Sequence, residues 1–283
     1  MAELLRGAPV AAALDKETSD IIASLSVKPC LAILRVGERS DDLSYEKSAI
    51  KRAAAVGIET KSVSLPADVN QERLLAAVKE LNEDDSVHGI LLFRPLPASL
   101  DENLICAAIA PEKDVDGITS SSMAYVYSGE GMGFAPCTAQ SVIEILDYYG
   151  VDIKGRDVTV IGRSLVIGRP VSMMLMRRDA TVTICHTKTQ DAAEKARGAD
   201  IVVACAGRPE IVGPDYLSEG QVVIDVGMNY SESKGRFVGD VDIEQAGFVR
   251  AITPVPGGVG SVTTSVLMRH TALAAKNAAA VMK

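Results

Sequence analysis

The 283-residue sequence contains no tryptophan, and aromatic residues make up only 4% of it. Proteins that bind single-stranded nucleic acid need stacking platforms and a basic surface. Here 37 acidic residues face 29 basic ones, the net charge is −8, and no nucleic-acid partner is expected. Histidine occurs three times, and the five cysteines (Cys30, Cys106, Cys137, Cys185 and Cys205) are far apart with no CxxC pair. That spacing argues against a metal site or a disulfide framework and points to a reducing, cytoplasmic compartment. No apolar run approaches the ~18 residues of a membrane span. The opening MAELLRGAPV has neither the basic start nor the apolar stretch of a secretory signal, so no membrane partner is expected.

What is present is ordinary globular composition, 47% hydrophobic and 23% charged. The length suits one large α/β domain or two modest ones. Strand-length apolar runs fall at 30–36, 60–65, 88–93, 157–162, 181–185, 200–205 and 221–227. Amphipathic stretches between them read as helices: one within 43–59 closed by Gly57, then 71–83, 101–109, and from 138 through Tyr149. The alternation predicts two α/β domains with parallel sheets flanked by helices. The unbroken apolar character of the strands suits sheets covered on both faces. A boundary near Pro136–Thr138 gives a first domain of 1–137 and a second of 138–264. A last helix, about 265–283, is expected to pack back on the first domain. Met173, Met174 and Met176 read as helix core, Arg177–Arg178 as a solvated helix end, and His88 as structural.

The segment DVTVIGRSLVIGRPVSMM, starting at Asp157, reads as strand, tight turn and helix. Gly162 ends the strand, and Gly168-Arg169-Pro170 opens the helix, where proline is tolerated. A pyrophosphate there would meet unpaired N–H groups and the positive end of the helix dipole. An NAD site usually carries Asp or Glu after the second strand, to bond the ribose 2′-hydroxyl. Here TVTIC is followed by His186, Thr187 and Lys188. Arg163 can instead meet a 2′-phosphate, with Thr187 beside it and Ser164 in the same loop. The expected cofactor is NADP, with NAD the alternative.

With these stretches in view, EKDVDGIT (112–119), PCTAQS (136–141), VIGRSLVIGRP (160–170), VIDVGMNY (223–230), VGDVD (238–242) and TPVPGGVGSVT (253–263) together resemble the methylenetetrahydrofolate dehydrogenase/cyclohydrolase family, in order and spacing as well as in residues. The resemblance implies two α/β domains around a cleft, the second a Rossmann-type parallel sheet. It also implies a homodimer and tetrahydrofolate derivatives as substrates, oxidised with NAD(P) and in many members then hydrolysed. It assigns Tyr45 and Asp116 to catalysis and substrate binding, Asp116 holding the pterin ring. It adds Pro95, Leu96, Pro256, Gly257 and Gly258 to the substrate site. The cofactor residues it implies are Gly162, Arg163, Ser164, Gly168, His186, Thr187, Gly260 and Thr263. Asp114 suits a turn-capping role better than Asp116 does.

Three stretches depart from the family pattern. Its active-site helix reads Y-x-x-x-K-x-K, and the first lysine falls at Ala49. On a helix Tyr45 neighbours Ser48 and Ala49, whereas Lys47 and Lys51 lie on the far side. The family's Q-L-P-L-P is here Phe93-Arg94-Pro95-Leu96-Pro97. The family loop after PGGVG continues Pro-Met-Thr; here it is Ser261-Val262-Thr263. The expectation is a dehydrogenase with weak or absent cyclohydrolase activity, since Ala49 has no titratable group and Phe93 neither donates nor accepts. Arg94 and Arg52 are the candidate substitutes. The rival readings are a bifunctional enzyme and a catalytically silent folate- or nucleotide-binding protein.

Overall fold

The computed structural model describes residues 1–281; Met282 and Lys283, the end of the expected last helix, lie outside the described residues. In chain order the elements are β1 (Glu3–Leu4), α1 (Gly7–Ala23), β2 (Cys30–Val36), α2 (Ser40–Val56), β3 (Glu59–Leu65), α3 (Gln71–Glu83), β4 (Gly89–Leu92), α4 (Glu102–Ala107), α5 (Ser120–Ser128) and α6 (Cys137–Tyr148). There follow β5 (Asp157–Ile161), α7 (Gly168–Met176), β6 (Thr181–Cys185), α8 (Ala192–Arg197), β7 (Ile201–Ala204), β8 (Val222–Asp225), β9 (Asn229–Ser231), β10 (Arg236–Val238), β11 (Ala251–Ile252) and α9 (Gly260–Val281). Two compact units result. One is Ala13–Cys137 with the chain from Thr264 onward, the other Met1–Ala12 with Thr138–Thr263.

The first unit holds a parallel sheet in the order β3-β2-β4. All seven residues of the central strand CLAILRV are buried, as a strand covered on both faces requires. The edge strand ETKSVSL has no buried residue, so the expectation of strands covered on both faces fails there. α3 starts at Asn70, whose side chain accepts the Arg73 N–H at 2.8 Å. It buries Leu74, Ala77, Val78 and Leu81 at helical spacing. A fully buried Leu or Val contributes roughly 1.5–3 kcal/mol. Lys113 Nζ donates to the carbonyls of Leu81, Asn82 and Asp84, at 3.1, 2.8 and 2.8 Å. It thereby satisfies acceptors that the helix end leaves open. The Asn82 amide spans Ala108 O and Ala110 N, at 2.7 and 3.0 Å.

Helix α2 ends at Gly57, whose φ of +91° suits a residue without a Cβ. Its inward face is Glu46, Ala49, Ala53 and Val56. The buried Glu46 carboxylate accepts from Arg35 Nε on β2 at 2.9 Å and from Ser62 Oγ on β3 at 2.7 Å. Arg35 also donates to Ser64 Oγ at 2.9 Å and to the Gly37 carbonyl. One ion pair thus fixes α2 against two strands.

The second unit is a six-stranded sheet, β1-β11-β8-β7-β5-β6, in which every pair is parallel. β1 pairs with β11 through Glu3↔Ala251 and Leu4↔Ile252. The first twelve residues therefore belong here, although the sequence reading put 1–137 in one domain; a two-residue strand carries no periodicity to read. β6 and β7 flank β5 on opposite sides, so the strand order reverses at the end of β5, the position where open α/β sheets bind ligands. β9 and β10 form a separate antiparallel hairpin. In α7, Val171 and Leu175 are buried while Met173 and Met174 are half-buried and Met176 is exposed, which corrects the reading of the methionines as core.

Removing one member of the Arg35–Glu46 pair leaves a buried charge unpaired. Arg35→Ala or Glu46→Ala should lower unfolding free energy by about 3–5 kcal/mol, and the double change to Met and Leu should cost far less. Urea denaturation monitored by circular dichroism measures both.

Candidate active site

In the first unit the segment after Pro111 turns sharply to present Asp116. Asp114 is fully buried and accepts from Ile118 N, Thr119 N and Ser122 Oγ, at 2.9, 2.8 and 2.6 Å. Gly117, at φ +71°, passes so close to the Phe134–Pro136 backbone that a Cβ would not fit. The Val115 carbonyl accepts from His270 Nδ1 at 2.9 Å and from Cys137 Sγ at 3.3 Å. Since a carbonyl only accepts, Nδ1 carries the proton. Burial, together with the nearby Arg269 cation, lowers the His270 pKa to about 4 against the pull of that bond.

Asp116 is half-buried, and its side-chain hydrogen bond is with Cys137. Burial pushes its pKa up to about 6, Asp114 adds to the rise, and the Arg94 guanidinium opposes it. The turn-forming role thus falls to Asp114. The Tyr45 hydroxyl is hydrogen-bonded to Thr264, and burial of that end, with Asp116 nearby, keeps it protonated well above the ordinary range. The Phe93 ring lies 5.6 Å from the Tyr45 ring at 51°. Ala49 is fully buried.

The loop after β4 is held by Glu102. Its Oε2 accepts Leu96 N at 2.9 Å, and its Oε1 lies 3.8 Å from Arg94 Nη1. The Arg94–Pro95 peptide is cis. Pro95 is exposed and Leu96 buried. Phe93 therefore turns toward Tyr45, and Arg94 stays within electrostatic reach of Asp116. Arg52 is paired with Asp15 on α1, which engages the other candidate substitute. His88 Nδ1 accepts the Cys30 N–H at 3.2 Å, a structural role.

The second unit places a cavity of about 250 Å³ at the carboxyl ends of β5, β6 and β7. Gly162, Arg163, Ser164, His186 and Thr187 line it. A Cβ on Gly162 would strike the Cys205 backbone, and one on Gly168 would strike the Gly162 carbonyl; only glycines allow this approach. Ile167, at the N-cap position of α7, makes no side-chain cap. Ser164 Oγ serves instead, accepting Ile167 N at 3.1 Å and Gly168 N at 3.5 Å, which leaves its O–H free to donate. His186 Nδ1 accepts the Lys188 N–H at 3.1 Å, so Nε2 is its remaining donor when the ring is neutral.

Pro256, Gly257 and Gly258 form a turn in the same unit. Gly257, at φ +99°, accepts the Gly7 N–H on its carbonyl at 2.8 Å. Gly260 opens α9, and Thr263 Oγ1 donates to the Val259 carbonyl at 3.3 Å. Gly168, Gly260, Thr263 and the 256–258 turn do not line the cavity. Two residues escaped the sequence reading: Arg208, which lines the cavity, and Thr264, the partner of Tyr45. Neither stands in a pattern that marks it; only the fold brings them to their places.

Glycines that admit a phosphate, hydroxyl and imidazole donors, and arginines with no carboxylate among the lining residues fit a phosphorylated dinucleotide. With the cradle at the switch point of a parallel sheet, they define a Rossmann-type nucleotide-binding protein. The chain belongs to the tetrahydrofolate dehydrogenase/cyclohydrolase family: residues 5–116 match its catalytic domain and residues 136–279 its NAD(P)-binding domain. It is 47% identical over 278 residues to a bifunctional FolD protein of Clostridioides difficile, covering 97% of this chain and 96% of that one. Among solved structures, it is similar to the bifunctional FolD methylenetetrahydrofolate dehydrogenase/cyclohydrolase of Campylobacter jejuni, with 39% identity, a TM-score of 0.94 and 98% and 99% of the two chains covered. It is also similar to the Trypanosoma brucei enzyme solved with NADP and an inhibitor, with 38% identity, a TM-score of 0.90 and 98% of each chain covered.

A histidine kept neutral by burial makes stability depend on pH with a definite sign. Its folded pKa is about 4 and its ordinary value 6.5, so the unfolded chain takes up the proton first. Stability should fall as pH drops from about 6.5 to about 4, by up to the order of 3 kcal/mol. His270→Asn should flatten that slope in urea titrations at pH 4.5, 5.5 and 7.

Proposed function

We propose that this chain oxidises 5,10-methylenetetrahydrofolate to the 5,10-methenyl form with NADP, and that its cyclohydrolase activity is weak or absent. The observation that carries the dehydrogenase half is the cavity at the β5 switch point, lined by Arg163, Ser164, His186 and Thr187 without a carboxylate. It supports NADP over NAD, and the related T. brucei structure contains NADP. A bound NADP would supply the hydride acceptor. The residues' part is mainly positioning, because the product cation is resonance-stabilised.

In this reading Asp116 receives the amino and N–H donors of the pterin ring, and protonated Tyr45 orders the substrate beside it. We assign folate binding to residues 13–137 with the last helix, including Pro95 and Leu96. Cofactor binding falls to residues 138–263 with the first twelve residues, while Pro256, Gly257 and Gly258 of that segment are assigned to the substrate. A homodimer in the cytoplasm is part of the proposal and rests on the family resemblance; no helix among the described residues is long and apolar enough to cross a membrane.

For the second half-reaction the relatives favour the opposite reading, since the C. difficile and C. jejuni proteins are named bifunctional. What favours loss here is local. Adding water to the methenyl cation needs a group that takes a proton from that water. At that corner Ala49 has no such group, Phe93 packs at a tilt against the Tyr45 ring, and Arg52 is engaged by Asp15. Arg94 remains near, but a guanidinium has only donors and is a poor base.

Two assays test the proposal. With methylenetetrahydrofolate, formation of reduced cofactor should be faster with NADP than with NAD; no signal with either would sink the dehydrogenase. With methenyltetrahydrofolate, decay should stay near the spontaneous rate, roughly 10²–10⁴-fold below that of a lysine-bearing enzyme. Rapid decay abolished by Arg94→Ala would show that the arginine had replaced the lysine. Ala49→Lys with Phe93→Gln should create hydrolysis. The pH profile is a further check. The ionised form of Asp116 is populated above about pH 6, so the KM for the folate should climb by about tenfold per unit of pH below that value. Asp116→Asn should weaken binding and remove this dependence.

A further inference from the structure

The cavity at the β5 switch point is lined by a second arginine, on the far side of β5 from β6. Arg208 follows β7 in the sequence AGRPE, while Arg163 follows β5. Neither guanidinium makes a hydrogen bond or ion pair with a described residue, whereas those of Arg35, Arg39, Arg73, Arg94 and Arg236 all do. Two cations share one small cavity with no Asp or Glu in its lining. Both arginines are exposed, and two cations lining one cavity without a carboxylate make its potential positive, which favours an anion as the ligand.

The loop that carries Arg208 is fixed rather than loose. Asp240 is fully buried and accepts Gly207 N at 2.9 Å, Arg208 N at 3.0 Å and Asn229 Nδ2 at 2.9 Å. Gly207 takes φ +65°, which allows the turn. The backbone of Arg208 is therefore set before any ligand arrives, and only its side chain has to order on binding.

We propose that Arg208 is a cofactor-binding residue that grips a phosphate group of the dinucleotide, forming with Arg163 a two-arginine clamp. The inference rests on the reading of this cavity as the NADP site. The shared chemistry is a phosphate dianion or diphosphate held by guanidinium; the 2′-phosphate and the diphosphate bridge are its two sources in NADP. Arg208 is exposed, so its substitution should leave the fold intact.

The test is calorimetric titration of the full-length protein and its Arg208→Gln and Arg208→Lys variants with 2′,5′-ADP, 5′-ADP and 5′-AMP. Steady-state KM values for NADP and NAD run in parallel. Arg208→Gln should weaken binding by roughly tenfold or more, with kcat nearly unchanged, and Arg208→Lys should recover part of the loss. A loss confined to 2′,5′-ADP and NADP assigns the arginine to the 2′-phosphate. A loss shared by 5′-ADP and NAD, and smaller for 5′-AMP, assigns it to the diphosphate. Unchanged affinity for all three nucleotides, or a fall in kcat with unchanged KM, would overturn the proposal. Binding is read without turnover, so failure of the dehydrogenase assay and failure of the clamp are separate results.

Discussion

Three buried aspartates hold the loops from which both candidate half-sites are built. A loop that folds inward at the carboxyl end of a parallel sheet carries N–H groups that water no longer reaches, and each must find an acceptor. Asp114 takes two such donors, Ile118 N and Thr119 N, together with the Ser122 hydroxyl. Asp225 takes Gly227, Asp240 and Val241 N–H, all near 3.0 Å. Asp240 takes Gly207, Arg208 and Asn229. A carboxylate with two oxygens is the one short side chain that accepts so many donors at once. For Asp225 the arrangement has a cost: burial, with the Asp240 charge beside it, pushes its pKa up to about 7 against the pull of those N–H groups.

The same accounting separates the binding groups from the structural ones. Asp114 is saturated, while Asp116, two residues on, accepts no backbone N–H among the described residues and keeps lone pairs for a ligand. Asp240 is saturated by backbone and amide donors, while the guanidinium of Arg208 on the loop it fixes is left over. In both units the buried carboxylate shapes the loop, and the neighbouring residue with spare capacity is the one proposed to meet a ligand.

Much of the architecture was legible in the sequence because its strands and helices are long and strongly patterned. α3 spans 71–83 and β6 spans 181–185, as the residues alone suggest. Short elements were not: β1 and β11 have two residues each, and β9 and β10 three, too few for any period to register. The edge strand β3 is polar and lies open, so the rule for covered strands did not apply to it. The glycines of the cradle were readable because tight turns demand them. Arg208 was not, since an arginine in a surface loop is ordinary until the fold brings it beside Arg163. Arg52 sits on the face of α2 that the helical wheel gives it, but only the tertiary structure supplies Asp15 as its partner.

The two departures at the Tyr45 corner are best understood as one physical change. Position 93 is buried, at 6% exposure. A glutamine kept there without the lysine it serves would leave a buried amide short of partners, at a cost of about 1–3 kcal/mol. Phenylalanine removes that orphan and packs its ring against Tyr45 at 5.6 Å, so the apolar surface is covered rather than exposed. Alanine at position 49 fits the same inward face as Ala53 and Val56 without the desolvation that a buried ammonium brings. The tyrosine hydroxyl keeps Thr264 as its partner, and Asp116 stands outside the altered constellation. On the reading proposed above, a site changed in this way would keep Tyr45 and Asp116 for the folate while lacking a group to handle water, so that two side chains would separate the hydride step from hydrolysis.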